Sequence, residues 1–273
     1  MKKFDTVIIG GGIGGLMAAY RLRKNNPDMT IAVTERGNEL EKRVCPAGKN
    51  STCVHCKICS ITSGYAGAGA FSDGKFNLGT AYGGTLGEEL GDDLANLYID
   101  EVDKVLNEYC TSGVPKVYKS NDELRLKCIQ NNLRLLDMNV KHLGTDNNYL
   151  TMQNLINAIR ASGTELYSFY DCEKVEKQGS VYNLTYANGE VFEAANVIIA
   201  TGRSGANFVA DFCKSNGVKR RSNHIDIGVR VEMKDIIWRE FSSKIYEPKI
   251  LYKTKTFEDR CRMFCFNQGG LVS

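Results

Sequence analysis

The chain has 273 residues, 42% hydrophobic and 25% charged, with a formal net charge of +3. Those values are ordinary for a globular chain of one large or two smaller domains. They exclude a bundle of membrane helices, because no run of about 18 apolar residues occurs, and so small a basic surplus gives no footing for binding nucleic acid or a membrane surface.

The amino terminus opens with Lys2, Lys3 and an apolar run, but Gly10–Gly15 break that run directly after Ile9 and no small-residue cleavage site follows. A secretion signal is therefore not expected. Ten cysteines without an export signal point to a reducing cytoplasm, where thiols stay free, bind metal or take part in redox chemistry.

In chain order, Phe4 to Ile9 reads as a buried strand and Gly14 to Lys24 as a helix whose inner side is Leu16, Ala19, Tyr20 and Leu22. Thr30 to Thr34 is a second strand. Val44 to Gly87 is long, rich in glycine and cysteine and without period, the kind of loop that carries function. Helical patterns cover Glu88 to Tyr109, Asn121 to Leu136 and Leu150 to Ala161, and Gly163 closes the last. A strand is expected near Glu165 to Phe169. Three short strands follow at Cys172–Glu176, Val181–Tyr186 and Val191–Ala194, with Asn188-Gly189 as the hairpin turn between the last two. Asn196 to Ala200 is a further apolar strand running into Thr201-Gly202, then a helix from Ala206 to Asn216. From Ile225 onward the pattern looks mainly β.

The first motif carries the most chemistry. Val7-Ile8-Ile9 leads into Gly10-Gly11-Gly12-Ile13-Gly14-Gly15, which fits G-x-G-x-x-G on Gly10, Gly12 and Gly15. Gly10 permits the tight turn out of the strand, Gly12 lets backbone approach a pyrophosphate, and Gly15 lets helix and strand pack closely. The helix that starts there aims its amides and positive dipole end at the phosphates. Glu35 ends the second strand 20 residues after Gly15, where a carboxylate can accept both ribose hydroxyls. The motif alone does not separate FAD from a nicotinamide dinucleotide.

A longer series of segments narrows that choice. It comprises Arg43-Val44-Cys45-Pro46, then Cys53, Cys56 and Cys59, then Gly67-Ala68-Gly69-Ala70-Phe71-Ser72-Asp73-Gly74-Lys75. Ala200-Thr201-Gly202-Arg203-Ser204-Gly205, Ile227-Gly228-Val229-Arg230-Val231-Glu232 and Phe264-Cys265 complete it. The series resembles bacterial FAD-dependent dehydrogenases, the NAD(FAD)-utilising dehydrogenases of the glutathione-reductase-like flavoprotein superfamily. In that superfamily a small β-meander precedes an Ala-Thr-Gly strand end beside the cofactor. The resemblance implies an α/β fold: a Rossmann-like FAD-binding domain with a β-meander (1–217), then the start of a second, β-rich substrate or cap domain (218–273). It implies FAD as cofactor, NAD(P)H as a possible electron donor, and a small-molecule substrate. It does not name that substrate. Near the end this chain departs from the family, reading Arg262-Met263-Phe264-Cys265-Phe266-Asn267-Gln268-Gly269. Family members also run beyond this length, with a return segment near the flavin. The 273-residue chain alone is thus expected to hold FAD weakly and to self-associate.

The expected cofactor contacts are Gly10, Gly12, Gly14, Gly15, Glu35, Arg36, Arg43, Gly69, Ser72, Cys172, Thr201 and Gly202. Ser72 and Lys75 are the candidate catalytic side chains, a hydroxyl near the flavin and a cation for its N1–C2=O end or a substrate anion. Arg203 and Arg230 could fork an acidic substrate. Cys45, Cys53, Cys56 and Cys59 are spaced C-x7-C-x2-C-x2-C. Three readings stay open for them: an iron–sulfur or zinc site, a redox dithiol whose thiolates are favoured by Arg43, Lys49 and Lys57, or free loop thiols with His55 solvated among them. No other catalytic motif stands out, and a cofactor that carries the hard step needs none. A nucleotide-binding fragment without turnover and a flavoprotein acting on RNA are the alternatives; the weak net charge counts against RNA.

Overall fold

A computed structural model describes residues 1–48, 52–82, 84–137, 139–222 and 225–266. In chain order the elements are β1 (Lys2–Ile9), α1 (Ile13–Asn25), β2 (Ile31–Glu35), β3 (Lys75–Asn77), α2 (Leu86–Leu90), α3 (Asp92–Glu108) and β4 (Val117–Lys119). Next come α4 (Asp122–Gln130), β5 (Arg134–Leu135), β6 (Asn139–His142), α5 (Thr145–Ala161), β7 (Glu165–Ser168), β8 (Cys172–Gln178), β9 (Val181–Tyr186) and β10 (Val191–Ile199). The chain continues with α6 (Ala206–Ser215), α7 (Asp235–Lys244), β11 (Ile250–Lys253) and β12 (Arg260–Arg262). Among the described residues no helix is long and apolar enough to cross a membrane.

Two compact units emerge. The first gathers residues 1–74, 108–112 and 144–222; the second gathers 75–107, 113–143 and the described part of 223–273. The sequence division at 217 and 218 treats each domain as one stretch of chain. The structure instead returns two earlier segments to the second unit.

The first unit is built on a six-stranded sheet in the order β7-β2-β1-β10-β9-β8. β7, β2, β1 and β10 run parallel; β9 and β8 are antiparallel additions, so the meander continues the sheet. The two strands expected at Val191–Ala194 and Asn196–Ala200 are one long strand. β10 pairs Val191–Ala194 with β9 and Phe192–Ile199 with β1. The Asn188-Gly189 hairpin forms as expected: Gly189 sits at φ +82°, and its N–H donates to the Tyr186 carbonyl at 2.9 Å. A core of Phe4, Val7, Ile9, Val175, Leu184, Tyr186 and Phe192 lies against the sheet. On the helical side, α1 and α5 pack together. Leu16 and Ala19 of α1 are buried with Leu155, Ile156 and Ile159 of α5, while Tyr20 and Leu22 are only half-buried.

The second unit holds two three-stranded antiparallel sheets, β12-β11-β5 and β3-β6-β4, with helices beside them. The region from Ile225 onward is less β than expected, because α7 is a helix. Trp238, Phe241 and Ile245 follow at spacings of three and four, so one helical face meets the cluster of Leu124, Cys128, Leu135, Val140 and Ile250. The helix expected over Glu88–Tyr109 is cut at Gly91, whose φ of +82° no helix tolerates. That expected over Asn121–Leu136 stops at Gln130, and Asn132 turns the chain at φ +56° into β5.

Candidate dinucleotide-binding site

The glycine turn sits between the carboxyl end of β1 and the start of α1, and its glycines serve different purposes. Gly10 has φ +110°, and a Cβ there would meet the Ala200 carbonyl oxygen at 2.5 Å. At Gly15 a Cβ would lie 1.9 Å from the Gly10 oxygen, so helix and strand touch through backbone alone. Gly12 is different: its nearest neighbour would be the Gly67 Cα at 4.0 Å, and Gly14 would meet nothing. The fold does not require glycine at Gly12. Its missing side chain leaves room in front of α1.

That helix start has no side-chain cap and no acidic residue in its first turn. Its first amides lack intrahelical partners and carry the positive end of the dipole. An anion beside Gly12 would satisfy both.

Glu35 ends β2 and is buried. Its Oε1 accepts from the Gly37 and Gly64 N–H groups, both at 2.9 Å, and its Oε2 accepts from Gly11 N–H at 2.8 Å. A carboxylate has about four acceptor positions, so one remains, on Oε2. The expectation that Glu35 takes both ribose hydroxyls is therefore corrected: in this arrangement it has room for one.

The 60–67 loop builds the other wall, and sequence reasoning missed most of it. Tyr65 is fully buried; its hydroxyl donates to the Val33 carbonyl at 3.0 Å, and its ring lies where a Gly11 Cβ would be, 2.6 Å away. Ala66 adopts φ +67° and its N–H donates to the Gly11 carbonyl at 2.9 Å. Arg43 is buried and holds this loop. It donates to the carbonyls of Ser60 (2.9 Å), Ile61 (2.7 Å), Tyr65 (2.6 Å) and Gly67 (2.9 Å). Every arm of its guanidinium is thus committed to backbone, and Arg43 shapes the site without reaching out of it. Asn148 of α5, also buried, anchors the next turn by donating to the Gly69 carbonyl at 2.8 Å. Tyr65 and Asn148 left faint signals, a tyrosine inside a small-residue run and an amide inside a polar one.

The remaining expected contacts scatter. Arg36 donates through Nε and Nη2 to Ser63 Oγ at 3.2 and 2.9 Å. Gly69 and Ser72 are exposed, and Ser72 Oγ accepts from Gly74 N–H at 3.3 Å. Thr201 follows β10; its Oγ1 is buried with no hydrogen-bond partner among the described residues, while Gly202 turns at φ +60°. Cys172 lies in the apolar core, where burial pushes its thiol up to about 12. It is a packing residue there, as other buried cysteines are. Lys75 belongs to the second unit and is ion-paired with Glu247 at 3.5 Å. Arg203 and Arg230 are exposed.

The four loop cysteines do not converge. Among the described residues no group of three or more His, Cys, Asp or Glu side chains is placed to hold a metal ion. Cys53 and Cys56 are exposed, Cys45 and Cys59 half-buried, and all four are free thiols. The x2 spacing allowed convergence, but the loop brings no three such side chains together; between Cys53 and Cys56, His55 takes φ +52°. One thiol is nonetheless activated: the N–H groups of Ile61 and Thr62 and the Thr62 hydroxyl hold Cys59 below its ordinary value, and Arg43 acts in the same direction. Lys57 is exposed, and Lys49 lies outside the described residues.

Comparison with known proteins agrees with the first element. Residues 8–40 match the NAD(P)-binding Rossmann-like domain family. A 55-residue segment is 38% identical to the mitochondrial L-2-hydroxyglutarate dehydrogenase of Dictyostelium discoideum, covering 20% of this chain and 12% of that protein. The counterpart from Nematostella vectensis is 39% identical over 57 residues, again 12% of its length. Among solved structures, glycine oxidase from Geobacillus kaustophilus aligns with 77% of this chain and 58% of its own, at 15% identity and a TM-score of 0.46. The FAD-bound L-α-glycerophosphate oxidase from Mycoplasma pneumoniae aligns with 78% and 58%, at 14% identity and a TM-score of 0.45.

Proposed function

We propose that the first unit binds FAD and that the chain is the nucleotide-holding part of a flavin-dependent oxidoreductase of the glutathione-reductase-like type. The observation that carries this reading is the room left at Gly12 in front of an uncapped helix, with Glu35 at the end of the neighbouring strand. The donors and acceptors fit a dinucleotide. The amides at the start of α1 would take the pyrophosphate, and the free position on Glu35 Oε2 one ribose hydroxyl. FAD, when bound, supplies two-electron acceptor chemistry. The protein's part is to hold it: Arg43 fixes the loop that covers Gly11 and Gly12, and Glu35 ties that loop to β2 through the Gly64 amide. The matched relatives are named dehydrogenases, which agrees with oxidoreduction of a small molecule. Ser72 and Lys75 remain the side chains proposed to face flavin and substrate, Arg203 and Arg230 those for an acidic substrate, NAD(P)H the proposed electron donor and the cytoplasm the proposed compartment.

A nicotinamide dinucleotide is the second reading, because the matched family is described as NAD(P)-binding. Calorimetric titration of the full chain with FAD, FMN and NADH separates the two. FAD should bind, FMN should not for want of the adenosine half, and Glu35→Gln should weaken FAD by about tenfold, the worth of one charged hydrogen bond. Binding of NADH with no binding of FAD would overturn the flavin reading.

A further inference from the structure

Residues 225–234 carry a strand pattern that the fold leaves unused. Apolar side chains stand at Ile225, Ile227, Val229, Val231 and Met233, with Asp226, Gly228, Arg230, Glu232 and Lys234 between them. Such strict alternation is the mark of a β-strand with one buried face. Here the apolar side chains are not buried: Ile225, Ile227 and Val229 are 83%, 90% and 87% exposed, and Val231 and Met233 are exposed as well. Nor is the stretch paired. It runs without helix, turn or bend, and among the described residues no backbone group from Ile225 to Val231 joins a ladder or a backbone hydrogen bond.

An extended segment with an apolar face and open N–H and C=O groups is a template for a further strand. Folds that do not use one blunt it with proline or with charge on the apolar face. No proline interrupts 225–234, and no charged residue stands at the apolar positions.

We infer that this segment is an interface for a second copy of the chain, the two strands pairing antiparallel about a twofold axis at Gly228. The charges select both the partner and the register. Side chains directly opposite one another in an antiparallel pair share a face. With Gly228 opposite its own counterpart, Ile225 of one copy meets Val231 of the other and Ile227 meets Val229. On the other face Asp226 meets Arg230, once on each side of the axis, as twofold symmetry requires. A register centred on Val229 sets Asp226 against Glu232, and one centred on Arg230 sets that arginine against itself. One centred on Val231 pairs Arg230 with Glu232 but leaves Ile225 and Ile227 uncovered, because α7 begins at Asp235. A parallel pair in register stacks every charge on its like, and a shift by one residue opposes apolar to polar. Asp226 is available: its contact with Arg262 is long, at 3.9 Å, and its carboxylate stays largely exposed. In the dimer Arg230 serves a carboxylate of the other copy, in place of the acidic substrate proposed for it above. The pairing is otherwise independent of the flavin reading, since the segment lies in the second unit.

Sedimentation velocity of the full chain over a wide dilution series tests this, and a monomer–dimer equilibrium is expected. Arg230→Asp sets two acids against each other on both sides of the axis and should weaken the dimer roughly tenfold. Asp226→Arg should do the same, and the double exchange of Asp226→Arg with Arg230→Asp should restore the native affinity. Lys219→Glu, at an exposed position outside the segment, changes the net charge as much as Arg230→Asp does and should leave the dimer unaltered. A chain that stays monomeric at every concentration would overturn the proposal, its strand then being reserved for a different partner. So would open-ended polymers, a dimer indifferent to both single exchanges, or a double exchange that restores nothing. A dimer broken by Glu232→Lys and not by Asp226→Arg would centre the pair on Val231 and also overturn it. If circular dichroism shows one single variant misfolded, the other single variant and the double exchange still decide.

Discussion

Replacing Gly12 and Gly15 one at a time separates what the glycine turn does for folding from what it does for a ligand. Gly12 has φ −70° and ψ 177°, a conformation any residue adopts, and an added methyl would find its nearest neighbour at 4.0 Å. Gly12→Ala should therefore leave the ligand-free protein intact or stabilise it by about 0.4–1 kcal/mol through the unfolded chain. Gly15→Ala puts a methyl 1.9 Å from the Gly10 carbonyl oxygen and 3.3 Å from Ile8 Cγ2. The oxygen is backbone at a tight turn and cannot step aside cheaply. Overpacking of this kind costs about 3 kcal/mol, offset by the roughly 1 kcal/mol that alanine gains over glycine within a helix. A net loss of about 2 kcal/mol is expected for Gly15→Ala. FAD affinity should order differently. Gly12→Ala invades the room meant for phosphate and should weaken binding roughly 10- to 100-fold despite its intact fold. Urea denaturation followed by circular dichroism gives the stabilities, and flavin fluorescence gives the affinities. If Gly12→Ala loses as much stability as Gly15→Ala, or binds FAD like the native chain, the assignment of Gly12 to the ligand is wrong.

Further outcomes follow from the loop and the thiols. Arg43→Lys keeps the charge but cannot reach four carbonyls; losing two charged hydrogen bonds should cost about 3–5 kcal/mol and open the 60–67 loop to protease, and an unchanged urea midpoint would refute its role as a staple. Cys59, held below its ordinary value by the Ile61 and Thr62 amides, should alkylate with iodoacetamide along a pH profile whose midpoint lies below 9, and Arg43→Lys should move that midpoint upward. Mass spectrometry of the modified peptide reads this, and a midpoint at or above 9 refutes it. Cys172 has the opposite sign: its folded value of about 12 stands above the ordinary 9.0, so its contribution to stability is full below pH 9 and fades as pH rises from 9 to 12. Cys172→Ala should then lose stability less steeply than the native chain over that interval, and parallel curves would refute the burial argument.

The opening βαβ unit was legible because its signals are local. Val7-Ile8-Ile9, the glycines and Glu35 each act on near neighbours, and the strand, turn, helix and acid follow within 35 residues. The Asn188-Gly189 hairpin was legible for the same reason. What misled was period read without closure. The expected helix over Glu88–Tyr109 took no account of Gly91, and the strands on either side of Ala195 merged because β1 and β9 both pair with the same stretch. α7 was missed because the region from Ile225 onward reads as mainly β, and the helical face of Trp238 and Phe241 has meaning only against Leu124 and Ile250.

Within the candidate site the sequence determined the types of residue and the tertiary structure determined their employment. Arg43 and Cys172 are the clearest cases. An arginine shortly after the β2 acid and a cysteine at the start of the meander were both expected to touch the ligand. Yet Arg43 lies where four loop carbonyls need a donor, and Cys172 lies where the core needs a small apolar body. Glu35 was identified from spacing alone, but how many of its lone pairs remain for a ligand depended on where Gly37 and Gly64 brought their amides. The four cysteines had spacing compatible with one metal, and only the path of the loop decided that they do not meet around one. A motif specifies which groups are available over a few residues of chain. Which of them the folded protein itself uses is set by partners distant in sequence, because a buried donor or acceptor takes the nearest partner the tertiary fold supplies.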